Sequence, residues 1–591
     1  MKRRIYIFLF LLGSVTACKD VLDKEPLNII PESTVWSDQA LINAYVSQVY
    51  SELTYLFNDA TNDRSRYEGP GNPEDSFDFN LPSELSDESR CTYTWLYTWY
   101  LLKPGFIDKR GGLMEWWGYS TIRKMNEFIE RMETVTVLDA PVKKSLLAEM
   151  RVLRAMTYFQ MVKRYGGVPL ITKVQAIDAP KEELFVSRNK EIEIYDFVNA
   201  EIDAVLADLP VGNASSGHVT KGAALALKSR SSLYAASIAK YGTVQLNGLV
   251  GIPASEATRF YQASYDASNA IITSGQYSLY KKEADKVKNY QNIFLDENNV
   301  EVIFSKQYNG QAAVGHSWDL MQEPNGFNAW GVGNNSAVYL EMVDDYENMD
   351  GSPTKLDPTI LQDKVWSMNE LLGKKDPRFH ASIYYEGTPW QGQIFRLYKG
   401  LKKPDGTIIS AGDYNGVTAN GANSASSSTG FGVKKYLDET LVQPGGGMSR
   451  TDWIVFRYGE TLLNRAEAAF ELNKQEEALT AVNQIRERAG ILPLLTIDRD
   501  KIRHERKVEL AFEGHRYWDL RRWRLSTTAL TRTFTGIEPI LDFTTKKYQI
   551  KFLNGVDGDN KPRFDAKFYY FPIGVARIAN NPKLVENPGW E

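Results

Sequence analysis

The apolar positions of this chain fall into two textures. Over long stretches they recur every three or four residues, the spacing that gathers them on one face of an α-helix. Residues 143–170 carry Leu146, Leu147, Met150, Leu153, Met156, Tyr158 and Met161 in that rhythm and stop at Gly166-Gly167 before Pro169, which predicts a long helix with a sharp end. Further helices are expected over 193–210, 220–242 and 259–279. Residues 458–490 read as a helix pair. Leu462, Leu463, Ala466, Ala469 and Phe470 line one member, Ala478, Leu479, Val482 and Ile485 the other, with a turn near Asn473. Ala466 and Ala478 lie twelve apart, as small residues do where paired helices touch in a tetratricopeptide repeat, so degenerate helix–turn–helix repeats are expected. Residues 300–450 lose this rhythm. They are rich in Gly, Asn, Ser and Trp, with short extended pieces such as EVIFSKQY and FGVKKYL. Residues 410–430 have almost no apolar side chains and read as a flexible surface loop, and residues 62–90 are similarly loop-like.

The N-terminus has its own pattern. Lys2, Arg3 and Arg4 precede an eleven-residue apolar run, Ile5 to Val15. That run is too short for a bilayer, which takes about 20 apolar residues, but suits a secretory signal peptide. Val15-Thr16-Ala17 before Cys18 resembles the lipobox of bacterial lipoproteins, implying removal of residues 1–17 and lipid on the Cys18 sulfur. Lys19, Asp20, Asp23 and Glu25 resemble the charged tether that sends such proteins to the cell surface in the Bacteroides group.

Composition narrows the function. The formal charge is −5, and loss of the three leader cations takes it to about −8, which speaks against nucleic acid as a partner. No later segment is apolar enough to span a membrane. With Cys18 acylated, Cys91 stands alone, so a disulfide framework is excluded. Aromatic residues make up 12% of the chain, with 13 Trp and 32 Tyr, a pool from which both core and a saccharide-binding surface can draw.

Several segments together resemble the SusD/RagB family of surface glycan-binding lipoproteins of Bacteroidetes. They are AEMRVLRAMTYFQMVKRYGGVPL, TKGAALALKSRSSLYAA, VDDYENMDG, DPRFHASIYYEG, DWIVFRYGETLLNRAEAAF, ERKVELAFEGHRYWDLRRW and NPKLVENPGW, in the family order over almost the whole mature chain. The resemblance implies a mainly α fold: a single SusD-like domain over 18–591. Its tetratricopeptide-like helical scaffold would occupy about 32–60, 112–295 and 452–525, and an irregular ligand-binding region of loops and short strands about 61–111 and 300–450. It also implies a non-catalytic lipoprotein of the outer membrane, exposed at the cell surface. Such a protein captures oligosaccharide or polysaccharide and hands it to a SusC-like TonB-dependent transporter.

The densest charge motif, HERKVELAFEGHRYWDLRRW, places Glu505, Glu509 and Glu513 at i, i+4 and i+8, with Arg506 and Arg516 three residues from Glu509 and Glu513. Charge pairs along one helical face follow from that spacing, and an architectural network is expected rather than an acid/base site. His504 and His515 are eleven apart and lack metal-ligand spacing. A glycoside hydrolase would need two carboxylates about 5–10 Å apart across a cleft, which acidic residues this numerous cannot identify. A scaffold binding only protein peptides would need its aromatics on a concave helical face. Saccharide binding needs flat apolar rings beside polar groups, and two segments offer both. Trp95, Trp99 and Tyr100 lie in 91–106; Trp318, Asp319, Asn325, Asn328 and Trp330 lie in 308–335. Trp116 and Trp117 are expected to begin a helix, and Trp390 to be structural. No cofactor is expected, and nothing in the sequence marks a calcium site.

Overall fold

The computed structural model describes residues 32–56, 81–93, 107, 109, 114–212, 217–310, 314–331, 333–421, 428–558 and 564–591. Its longer helices are α1 (Gln39–Glu52), α2 (Tyr119–Met132), α3 (Ala140–Tyr165), α4 (Glu191–Val205), α5 (Lys221–Tyr241), α6 (Ala257–Thr273), α7 (Lys286–Leu295), α8 (Tyr458–Glu471), α9 (Gln475–Ala489), α10 (Arg499–Glu509) and α11 (Arg516–Arg522).

Helices α2 to α6 pack each on the next in chain order, and α8 and α9 continue the array by packing α8 against α6. Local chemistry sets their ends. Thr220 caps α5 by accepting the Ala223 N–H, satisfying a donor the helix leaves open. Gly166 ends α3 at φ +71°, where a Cβ would meet the Leu249 carbonyl at 2.8 Å. Small residues let α5 sit between neighbours: Ala223, Ala224, Ser229, Ser232, Ala235 and Ala236 are all buried, and Ser229 hydrogen-bonds Ser268 of α6 at 2.8 Å. The α8–α9 turn falls at Asn473, in the left-handed region at φ 62°. Ala466 and Ala478 are buried in that pair. Among the described residues no helix is long and apolar enough to cross a membrane.

A second body has its own core, drawn from residues 280–454 and 508–550. It holds an antiparallel sheet in the order 89–91, 336–338, 431–433, 383–385 and a second sheet in the order 365–366, 548–554, 535–542, 401–402, 408–409. The strand pair Val302–Lys306 with Trp453–Arg457 joins the bodies, since its second strand runs straight into α8.

The structure fills in these expectations and moves some of their bounds. The region 300–450 is a packed body with buried strands, because its apolar residues find partners far away in sequence. Within 410–430, residues 413–418 form a hairpin and Thr429 and Gly430 are buried. Within 62–90, residues 81–84 are helical and 89–91 form a strand, with Glu84, Asp87, Glu88 and Arg90 buried. Trp116 and Trp117 precede α2, which starts at Tyr119. The long hairpin of 535–554 lies beyond the scaffold boundaries read from the sequence.

Candidate functional site

The three glutamates of the charge motif lead into the interior. Glu505 accepts from Arg378 at 2.6 Å and Arg486 at 3.0 Å. Glu509 accepts from Arg378 at 2.9 Å, from Arg457 at 2.7 Å and from Arg488. Glu513 takes Arg457 at 2.7 Å and Lys435 at 2.8 Å. Glu301 closes the ring with Arg457 at 2.8 Å and Arg488 at 3.0 Å. All these groups are buried. Burial by itself would raise the Glu509 carboxyl, but Arg488, Arg457 and Arg378 outweigh it and hold it well below the usual carboxylate range. Arg457 and Lys435 likewise win over burial at Glu513 and lower it.

The pairs along one helix are therefore corrected. Helix α10 stops at Glu509, and Glu513 follows a turn in which Phe512 has φ 63°. Arg506 turns to Asp519 and Asn464, both at 2.7 Å, while Arg516 grips Asp87 at 2.7 and 2.9 Å. The charges tie α10 to α8, α9, α11 and the strand-bearing body. Among the described residues no group of three His, Cys, Asp or Glu could hold a metal ion. The network is closed to ligands.

The aromatic segment 308–335 divides sharply. Trp318 is a correction, because it is 0% exposed and cannot stack on a ligand. Its Nε1 donates to the Lys435 carbonyl at 2.9 Å, and its ring packs against Tyr436 and Trp453 at 6.0 and 5.4 Å between centroids. Asp319 is also fully buried, so it too is withdrawn from ligand contact. Asn328 is buried and accepts the Trp330 N–H at 3.1 Å, and Asn325 is half-buried. Trp330 is different: it is 47% exposed. Its indole lies over Gly446 in the run Gly445-Gly446-Gly447, where a Cβ would stand 3.6 Å from the ring. Val442 and Met448, both exposed, flank that glycine run in sequence. These loops are tied together, Ala329 N–H to Pro444 O at 3.1 Å and Gln443 Nε2 to Gly326 O at 3.2 Å.

Trp95, Trp99 and Tyr100 lie outside the described residues, as does Cys18. The strand that leads towards those aromatics is placed, however. Ser89–Cys91 pairs antiparallel with Ser336–Val338, Thr92 donates to Asn335 O and Asn334 O, and Tyr93 both donates to and accepts from the Gly333 backbone at 2.5 and 2.7 Å. Gly333 is required there, since a Cβ would meet the Glu323 carbonyl at 1.8 Å. Tyr93 thus meets the backbone three residues from Trp330.

Behind this surface sit two carboxylates, one of which sequence reasoning missed. Asp319 Oδ1 accepts the Asp438 N–H at 2.8 Å, and burial pushes its pKa up to about 6. Glu323, one turn on, accepts Trp390 Nε1 at 2.9 Å; burial and then the Asp319 charge push it up to about 9. Trp390 is accordingly buried. The i, i+4 spacing of Asp319 and Glu323 was the available signal.

A stacked helical array carrying a two-sheet body, with an interior bound by charge and an exposed aromatic on the body's loops, defines a binding scaffold. Residues 300–590 match the model of the SusD family. The chain belongs to that family. It is 24% identical to SusD-like protein P38 of Formosa agariphila, over 98% of this chain and 97% of that one. A SusD-like protein of Bacteroides fragilis has the same fold, with 26% identity, a TM-score of 0.71, and coverage of 96% of this chain and 100% of that one. So does a SusD-like carbohydrate-binding protein of the same species, at 21% identity and a TM-score of 0.67, covering 93% and 100%.

Proposed function

We propose that the protein is a non-catalytic glycan-binding lipoprotein, anchored in the outer membrane through Cys18, which passes oligosaccharides to a SusC-like TonB-dependent transporter. The observation that carries this reading is the Trp330 indole, half-open over a glycine turn whose loop also exposes Val442 and Met448. A flat apolar ring of this kind stacks on the C–H face of a sugar, and polar groups at the rim pair with hydroxyls. Asp319 and Glu323, the two raised carboxylates of the segment that carries Trp330, are fully buried. That placement supports binding without bond cleavage, because a hydrolase needs both carboxylates against the substrate. The carbohydrate-binding relative agrees with the same reading.

Calorimetry of the chain lacking residues 1–18, against a panel of neutral and acidic oligosaccharides, tests it. Trp330→Ala is expected to weaken the tightest binder by about 1–3 kcal/mol, the scale of exposing a large apolar side chain, or about 5- to 150-fold in Kd. Oligosaccharide incubated with the wild type should stay intact. Reducing ends that grow in proportion to protein would make it a hydrolase, and unchanged affinity in Trp330→Ala would move the site elsewhere.

A further inference from the structure

Residues 438–450 leave the packed body and return to nearly the same point. Arg450 Nε and Nη2 reach back to Asp438 Oδ2 at 3.0 and 2.8 Å, and Thr440 bonds both partners. The segment is a compact loop closed at its neck, the geometry of an Ω-loop. At its far side it carries Val442, the triple glycine under Trp330 and Met448.

Beneath the neck lies the short helix Trp318–Gln322, and one residue of it touches both limbs. Asp319 Oδ1 accepts the Asp438 N–H at 2.8 Å, and its own N–H donates to Ser449 Oγ at 3.0 Å. The returning limb has additional ties: His316 and Ser449 exchange backbone bonds at 3.1 and 2.9 Å, and Gly447 N–H donates to Ser317 Oγ at 3.0 Å. At the neck the Asp319 carboxylate holds the outgoing limb. We infer that Asp319 is a positioning residue of the Trp330 surface: from a fully buried position it clamps the neck of the 438–450 loop and so fixes the glycine turn on which the indole rests. The side chain forms no ion pair among the described residues, and the groups that hydrogen-bond it, the Asp438 N–H and Ser449, belong to the two limbs of the neck. Burying a polar group in this way is costly unless the bond it makes is needed.

The inference rests on the reading of Trp330 as a binding platform, and the experiment separates the two. Asp319→Ala should weaken the tightest oligosaccharide of the panel at least about tenfold, the scale of one lost buried hydrogen bond and its unsatisfied partner. Asp319→Asn keeps an acceptor for the Asp438 N–H and should stay within about twofold of wild type. In a Trp330→Ala background, Asp319→Ala should change affinity less than about twofold, because the two act through one surface. Hydrogen exchange should quicken in the 438–450 amides of Asp319→Ala and not in the helical array. Wild-type affinity in Asp319→Ala, or an equal loss with and without Trp330, overturns the inference. If Asp319→Ala does not fold, Ser449→Ala, which removes the side-chain tie to Asp319 and leaves the backbone ties of that limb in place, must show a smaller loss with the same non-additivity with Trp330→Ala. If Trp330→Ala itself binds normally, the functional reading fails, and the clamp stands or falls on hydrogen exchange alone.

Discussion

Two sets of carboxylates are buried equally deeply in this protein, and they are compensated in opposite ways. Glu301, Glu505, Glu509 and Glu513 each meet at least two cations from among Arg378, Arg457, Arg486, Arg488 and Lys435. Asp319 and Glu323 form no ion pair among the described residues, and Asp319 Oδ2 and Glu323 Oε2 accept no hydrogen bond. In the first set Glu509 and Glu513 are lowered by their cationic partners; in the second, burial raises Asp319 to about 6 and Glu323 to about 9. Charge neutralised by partners locks elements together, whereas a carboxyl that keeps its proton acts as a local hydrogen-bonding group. The locked set lies where α8, α9 and α10 meet the strand-bearing body. The cation-free set lies directly behind the exposed aromatic surface. Architecture and the exposed aromatic surface are thus backed by the same residue type, sorted by where the arginines are.

The largest effect should come from unlocking the first set. Arg457 bonds Glu301, Glu509 and Glu513 at once, so Arg457→Ala leaves three buried carboxylates short of a partner. Breaking a buried ion pair from one side costs about 3–5 kcal/mol, and urea denaturation should show at least that loss. A loss under about 1 kcal/mol would mean that water compensates the network and would dissolve the comparison.

The pH dependence sharpens it, because the two sets carry opposite signs. The folded pKa of Glu509 lies below its unfolded value of 4.5, so its contribution is present above about pH 4.5 and is lost as pH falls through the folded value. Glu323 is the reverse. Its folded pKa of about 9 exceeds the unfolded 4.5, so its contribution is full below 4.5 and is lost as pH rises towards 9. Glu323→Gln, which mimics the protonated form, should therefore gain stability relative to wild type by about 1–3 kcal/mol between pH 5 and pH 9. Glu509→Gln should instead flatten the acid limb of the urea midpoint. Parallel curves for Glu323→Gln and wild type would show that Glu323 is ionised in the fold.

Helices were legible because their evidence is local. The period of Leu146, Met150, Leu153 and Met161 and the stop at Gly166-Gly167 lie within a single segment, and α3 ends at Tyr165 as that pattern requires. The body of strands was less legible because its evidence is distant: Ala337 pairs with Arg90 on one side and Gly432 on the other. The 548–554 strand did carry a local signal, Tyr548, Ile550 and Phe552 alternating with Gln549 and Lys551. The charge motif marked an important place but not its partners, since Arg378 and Arg457 reach it from far along the chain. Trp318 and Trp330 show the limit most plainly. Both stand in the same Gly- and Asn-rich segment, and what buries the first is Tyr436 and Trp453, more than a hundred residues on.

Those two tryptophans supply the smallest expected effect and the finest test. Trp318 bridges the two regions, with its neighbour Asp319 at the binding loop and its Nε1 on Lys435, whose ammonium holds Glu513. Trp318→Ala opens a cavity in a close-packed core and should cost about 3–5 kcal/mol. Trp330 lies with its indole over Gly446 and is 47% exposed. About half of its side chain is already exposed, so Trp330→Ala should cost about 1 kcal/mol, well below Trp318→Ala. A small fall in Tm together with weakened saccharide binding would identify a side chain kept for its ligand. A Tm that falls in Trp330→Ala as it does in Trp318→Ala would place the indole in the core in solution, erase the distinction between the two faces of this segment, and turn attention to Trp95, Trp99 and Tyr100.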